Sequence, residues 1–213
     1  MTTENADTTS ERHEPGIYVA LTRNVLDPKS IMDRVRSPEA GAIVLFAGTT
    51  RDTFGARPVF DLTYQSYVPL ALTTLNSIAS SIRQKHSLKA IAVVHRLGPV
   101  PIGEESILIA VSSPHRQAAW RAGEECLEEV KARAEIWKLE RFVGDEEGGV
   151  WRANRDGVLG EWVPPAGSSG VVEGKEEQKV VPETMGPVIR ARRPGERGHG
   201  PVVNPKPHVP PGA

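Results

Sequence analysis

Residues 88–113 read LKAIAVVHRLGPVPIGEESILIAVSS, and this stretch decides the fold class. Two apolar runs, 88–98 and 105–113, flank the segment PVPIGE, whose prolines and glycine suit a turn. Together they predict a β-hairpin. Downstream, a long helix is predicted from about Pro114, with Ala119, Ala122, Cys126 and Val130 along one side and Trp120 and Leu127 close by. Beyond it EIWKLERF (135–142) and GVWRANR (149–155) read as short strands around an acidic loop, Gly144 to Gly148. Upstream, Ala71, Leu75, Ile78 and Ile82 recur at helical spacing from Pro69 to about His86, so a second long helix covers the sheet.

Further towards the start, VFDLTYQSY (59–67) alternates as a strand does and follows a polar loop, TTRDTFGARP (49–58). GAIVLFAG (41–48) is a continuous apolar run and is expected as a central strand. IYVALTR (17–23) is expected as a half-buried strand. Asp27-Pro28 then supplies an N-cap and a proline at the first helical position, for a short helix through Val35. The sum is an α+β sandwich with two main helices packed on a mostly antiparallel sheet.

The 213 residues fit one domain with room for a real core. From Pro164 to the end there is no Phe, Trp or Tyr, yet ten of the 18 prolines and eight of the 20 glycines lie there. Such a segment cannot bury enough apolar surface to offset the entropy of ordering. Residues 163–213 are therefore expected to be a disordered Pro/Gly-rich tail, 1–15 a disordered start, and 16–162 the folded domain. A net charge of -1 gives no global field that selects nucleic acid or an acidic membrane. No apolar run is long enough to span a bilayer, and MTTENADTTSERHEPG lacks the hydrophobic segment of a signal peptide, so the expectation is a cytosolic protein. The single cysteine, Cys126, excludes an internal disulfide framework and a cysteine-rich metal site. It sits on an apolar helical stripe, where a small buried hydrophobe is the ordinary explanation.

Candidate chemistry is basic. KARAEIWKLE (131–140) places Lys131 and Lys138 seven residues apart around Ile136-Trp137. A solvated basic helix end accounts for such lysines, because cations complement the dipole of a last turn. Pro114-His115-Arg116 is the reverse case, with cations at a helix start where the dipole disfavours them. An anion held jointly by His115, Arg116 and the unpaired backbone N–H groups would explain them. Arg51 lies in the loop from Gly48 to Gly55 after an apolar strand, a place where binding residues gather. The histidines show no metal-ligand spacing, and neither standard glycine-rich phosphate loop is present, so no metal or cofactor is expected.

In order and spacing, GAIVLFAGTTRD, LTYQSY, VVHRLGPVPIGEESILIAV and SSPHRQAAWRAGEECLEEVKARAEIWKLE resemble the catalytic large-subunit family of molybdopterin synthase, from about Gly16 to Trp151. The most specific pieces are the His-Arg at 115–116 and the K-x6-K pattern at 131–138. The resemblance implies an α/β hammerhead and a sulfurtransferase of molybdenum cofactor biosynthesis. Such an enzyme inserts two sulfurs into cyclic pyranopterin monophosphate, taking them from the C-terminal thiocarboxylate of a small ubiquitin-like subunit. It further implies a heterotetramer, with two large subunits at the centre and active sites near their interface. Carried over by position, Lys131 and Lys138 become the catalytic pair. Lys131 is expected as base or transient nucleophile toward the partner's terminal carbonyl, and Lys138 as the residue that holds the thiocarboxylate or assists proton transfer. Arg51, His115 and Arg116 become anion and pterin contacts, with Phe46 as an apolar wall. The chain departs from the family pattern at Gln65 (usually glutamate), Glu135 (commonly proline) and Trp120 (usually phenylalanine).

The competing readings are a non-catalytic phosphate- or partner-binding module of the same fold and an RNA-binding α+β domain. The second needs exposed aromatics on a sheet face beside a basic stripe, and four Phe, four Trp and three Tyr, several on core positions, supply few.

Overall fold

In a computed structural model of the chain, residues 9–144, 148–153 and 161–163 are described, all within the unit Met1–Ser169. The elements in order are β1 (Ser10–Glu14), β2 (Ile17–Thr22), α1 (Pro28–Arg34), β3 (Ala42–Thr49), β4 (Thr53–Phe54), β5 (Arg57–Ser66), α2 (Val68–Lys85), β6 (Ala90–Arg96), β7 (Gly98–Val100), β8 (Glu105–Ser113), α3 (Arg116–Arg133), β9 (Ile136–Phe142), β10 (Gly149–Ala153) and β11 (Glu161–Val163). The expected α+β architecture holds, with two long helices and mostly antiparallel pairing. The strands divide into two sheets. The first runs β1-β2-β6-β8-β3, and the second runs β11-β10-β9-β5-β4 with β7 on the other side of β5. Only β2 and β6 pair in parallel in the first sheet.

The 88–113 stretch does pair antiparallel, Ala90 opposite Ser112 through His95 opposite Ile107. Its connection is more than a turn: β7 leaves the first sheet and pairs with β5 in the second, Leu62 opposite Val100. This crossing ties the sheets together and sets β5 beside the core. One face of the first sheet carries α2 and α3, which bury Ala71, Leu75, Ile78 and Ile82 and Ala119, Ala122, Cys126 and Val130. Tyr64, Val100 and Ile136 from the second sheet join the same cluster. The opposite face packs α1, through Ile31 and Val35, on Tyr18, Ala20, Ala92 and Ala110. Asp27 caps α1 as anticipated, its side chain accepting from the Lys29 N–H at 2.9 Å.

Three expectations change. IYVALT is buried on both faces, because α1 and α2 cover opposite sides of β2. The apolar run of β3 lies at a sheet edge, beyond β8, so its continuous hydrophobicity does not mark a central strand. Residues 10–14, assigned to the polar start, instead form β1 on β2, with Ser10 opposite Leu21. Their polarity suits an edge strand whose side chains find polar partners: Glu11 accepts from the Tyr18 hydroxyl at 2.7 Å, and Glu14 from the Asn76 amide at 2.7 Å. Residues 1–8 and the tail from 164 lie outside the described residues. Among the described residues no helix is long and apolar enough to cross a membrane.

Candidate active site

The answer to the spacing of Lys131 and Lys138 lies in where α3 stops. Lys131 is in its last turn, and at Ala134 the backbone turns extended (φ -68, ψ 137), so the chain leaves the helix and enters β9. Lys131 is thus presented by a helix end and Lys138 by a strand, and both line one cleft of about 160 Å³. Arg51 and Phe46 line it too, together with Gly48, Tyr64, His95 and Glu140. Phe46 is half-buried against the core, as a wall residue is, and Arg51 is exposed at the rim. Four of the six residues named from sequence therefore meet.

His115 and Arg116 do not join them. His115 is the N-cap of α3 and Arg116 its first residue, both exposed, and the His115 side chain makes no capping hydrogen bond. From residue 116 to residue 131 the helix rises roughly 22 Å at about 1.5 Å per residue. Within one chain these cations and the lysine stand at opposite ends of α3.

The cleft holds a carboxylate that the sequence reading passed over. Glu140 is 2% exposed. Alternation along β9 puts it on the same face as Lys138, two residues away. The Lys138 Nζ lies 3.1 Å from its Oε1, and the Arg152 Nε donates to its Oε2 at 2.9 Å. A carboxylate this deep is tolerated only when its charge is matched, and two cations match it. The Lys131 Nζ lies 3.8 Å from the Glu128 Oε1 on the same helix. The Lys138–Glu140 pair was legible in principle, since the segment reads as a strand and an i, i+2 spacing shares a face. Arg152 was not, because its approach depends on the register between β9 and β10.

Two further groups shape the polar floor. His95 is fully buried, and desolvation brings its pKa from the ordinary 6.5 down to about 4, opposed by its Nδ1 hydrogen bond to the Arg96 carbonyl at 2.8 Å. A neutral ring in that bond carries its proton on Nδ1. Tyr64 meets the ring edge-on, with centroids 4.8 Å apart, and burial raises its hydroxyl pKa. Cys126 is not part of the site: burial, helped by Glu129 and Glu125, pushes its thiol up to about 12, far from a reactive thiolate. A sulfur chemistry here would need its sulfur from outside this cysteine.

The arrangement offers an anion-accepting cleft with two amines, an arginine at its rim and an apolar wall. Comparison with known proteins gives a consistent picture. A family model described as MoaE protein matches residues 21–133. A molybdopterin synthase catalytic subunit of Sclerotinia sclerotiorum is 62% identical over 190 residues, covering 89% of this chain and 92% of the relative. The Neurospora crassa protein of the same name is 65% identical over 170 residues, covering 79% and 82%. Among solved structures, molybdopterin synthase from Staphylococcus aureus superposes with a TM-score of 0.58 at 32% identity, covering 62% of this chain and 94% of that one.

Proposed function

The chain belongs to the MoaE family, and from that premise we propose that its cleft is where cyclic pyranopterin monophosphate receives two sulfurs from the C-terminal thiocarboxylate of a small ubiquitin-like subunit. The chain is an enzyme of molybdopterin synthesis, as its relatives of known name are. The observation that carries the reading of the site is the meeting of Lys131 and Lys138, from a helix end and a strand, in one cleft with Arg51. Two anionic ligands, a thiocarboxylate and a cyclic phosphate, answer that concentration of cations.

Lys131 acts on the donor carbonyl as base or transient nucleophile. Lys138, held by Glu140, orients the thiocarboxylate or passes a proton. Phe46 bounds the pterin. His115 and Arg116 cannot reach the lysines of their own chain, so they serve the cleft of a second copy across a homodimer, with one small subunit bound to each catalytic chain.

The test mixes the purified chain with thiocarboxylated small subunit and cyclic pyranopterin monophosphate and measures dithiolene product. Lys131→Ala is expected to lower turnover by about 10²–10⁴ while the small subunit still binds. Mixing the Lys131→Ala and Arg116→Ala chains is expected to restore part of the lost activity, because mixed dimers then hold one intact site. A well-folded wild type that binds its partner and yields no product would move the assignment to a binding module. Failure of the mixed dimers alone would withdraw only the shared site.

A further inference from the structure

Arg152 takes no part in the roles assigned so far, yet it stands directly behind the cleft, against two residues that line it, Glu140 and Phe54. In the strand register it stands directly opposite Lys138 on one side, as Tyr64 does on the other. Three strands thus present Tyr64, Lys138 and Arg152 in one row on one face. Like charges directly opposite each other across a strand pair repel. Glu140 relieves this by giving one oxygen to each, Oε1 at 3.1 Å from the lysine and Oε2 at 2.9 Å from the arginine. The guanidinium also lies 5.2 Å from the ring centre of Phe54, which belongs to β4 and lines the same cleft.

Resting on the reaction proposed above, we propose that Arg152 is a positioning residue: it occupies one oxygen of Glu140 and so fixes where, and in what ionic company, the Lys138 amine stands. The reasoning is one of charge balance. With lysine alone, the buried carboxylate could turn both oxygens to Lys138 and hold it as a neutralising ammonium. A guanidinium is charged at every working pH, so Glu140 remains compensated while Lys138 moves or yields a proton. The other basic side chains lining the cleft, Lys131 from α3 and Arg51 from the loop after β3, bring no carboxylate, and the buried neutral His95 and Tyr64 carry no charge, so none of them replaces Glu140. The contact with Phe54 adds a link from the same residue to the β4 hairpin at the cleft rim.

The test uses the full chain with its thiocarboxylated partner, comparing wild type, Arg152→Met, Arg152→Lys, Glu140→Gln and the double variant Glu140→Gln/Arg152→Met. Arg152→Met is expected to lower kcat by about tenfold or more with little change in KM for the pterin, as misplaced reacting groups do. Arg152→Lys restores most of that loss, since an ammonium still answers Oε2. In the Glu140→Gln background the methionine substitution adds little, because its effect passes through the carboxylate. A second readout needs no turnover: acetylation of Lys138 by acetic anhydride, mapped by mass spectrometry against the exposed Lys29, is expected to slow severalfold in Arg152→Met. Additive losses in the double variant, or Lys138 acetylation that is unchanged or faster, would overturn the proposal. If wild type makes no product, the acetylation comparison still decides it, and the reaction assignment fails separately.

Discussion

His95 shows how a single residue writes a pH dependence into the fold. Folded, it stays neutral down to about pH 4 because burial penalises the imidazolium; unfolded, it takes up a proton near 6.5. Between those values the unfolded chain binds more protons, so stability rises with pH through the window and is lost on acidification. A shift of this size corresponds to about 3 kcal/mol. Urea unfolding followed from pH 7 to pH 4 is expected to show that loss, and His95→Gln, which cannot titrate, to flatten it. An unchanged slope in the variant would assign the acid sensitivity to the carboxylates. The residues named from sequence divide by their place in the fold. Lys131, Lys138, Arg51 and Phe46 converge because neighbouring elements carry them, whereas the cations at 115–116 are separated from them by the length of α3.

At the scale of elements, the site depends on how closely β10 lies against β9. Gly149 makes that approach possible: a Cβ there would meet a Leu139 methyl at 2.6 Å and the Glu140 carbonyl at 3.0 Å. Gly149→Val is therefore expected to push β10 away from the strand that carries Lys138 and Glu140, at a stability cost of about 1–3 kcal/mol. The expected signature is a lowered Tm together with a turnover loss larger than the fraction unfolded explains. A variant with native Tm and native turnover would show that β10 can shift without disturbing the carboxylate. The helices were legible because their apolar stripes recur every three or four residues over 18 positions. β7 and β11, three residues each, carry too little pattern to be seen, and their pairing is set by distant strands.

At the scale of the molecule, the extent of the folded part shifts towards the N-terminus. A chain trimmed to start at residue 16 loses β1 and leaves the edge of β2 uncovered, together with the Tyr18 hydroxyl that Glu11 holds. A chain of residues 9–163 is expected to match the full-length Tm and turnover. One of residues 16–163 is expected to melt lower, by about 2–4 °C for each kcal/mol lost. Equal melting of the two would make β1 an ornament of the edge. A turnover deficit in both would instead give the segment beyond 163 a part in the reaction.

The sequence by itself determined the α+β class, the two covering helices, the capped short helix and the basic residues that make the cleft. Each of these is encoded in periodicity, capping chemistry or motif order within a few tens of residues. The tertiary structure alone decided the division into two sheets, the edge position of β3, the ordering of residues 10–14 and the company Glu140 keeps. Those depend on strand order and register between segments far apart in the chain. A hydrophobic pattern tells a strand which face to bury, but not which neighbour it will pair with.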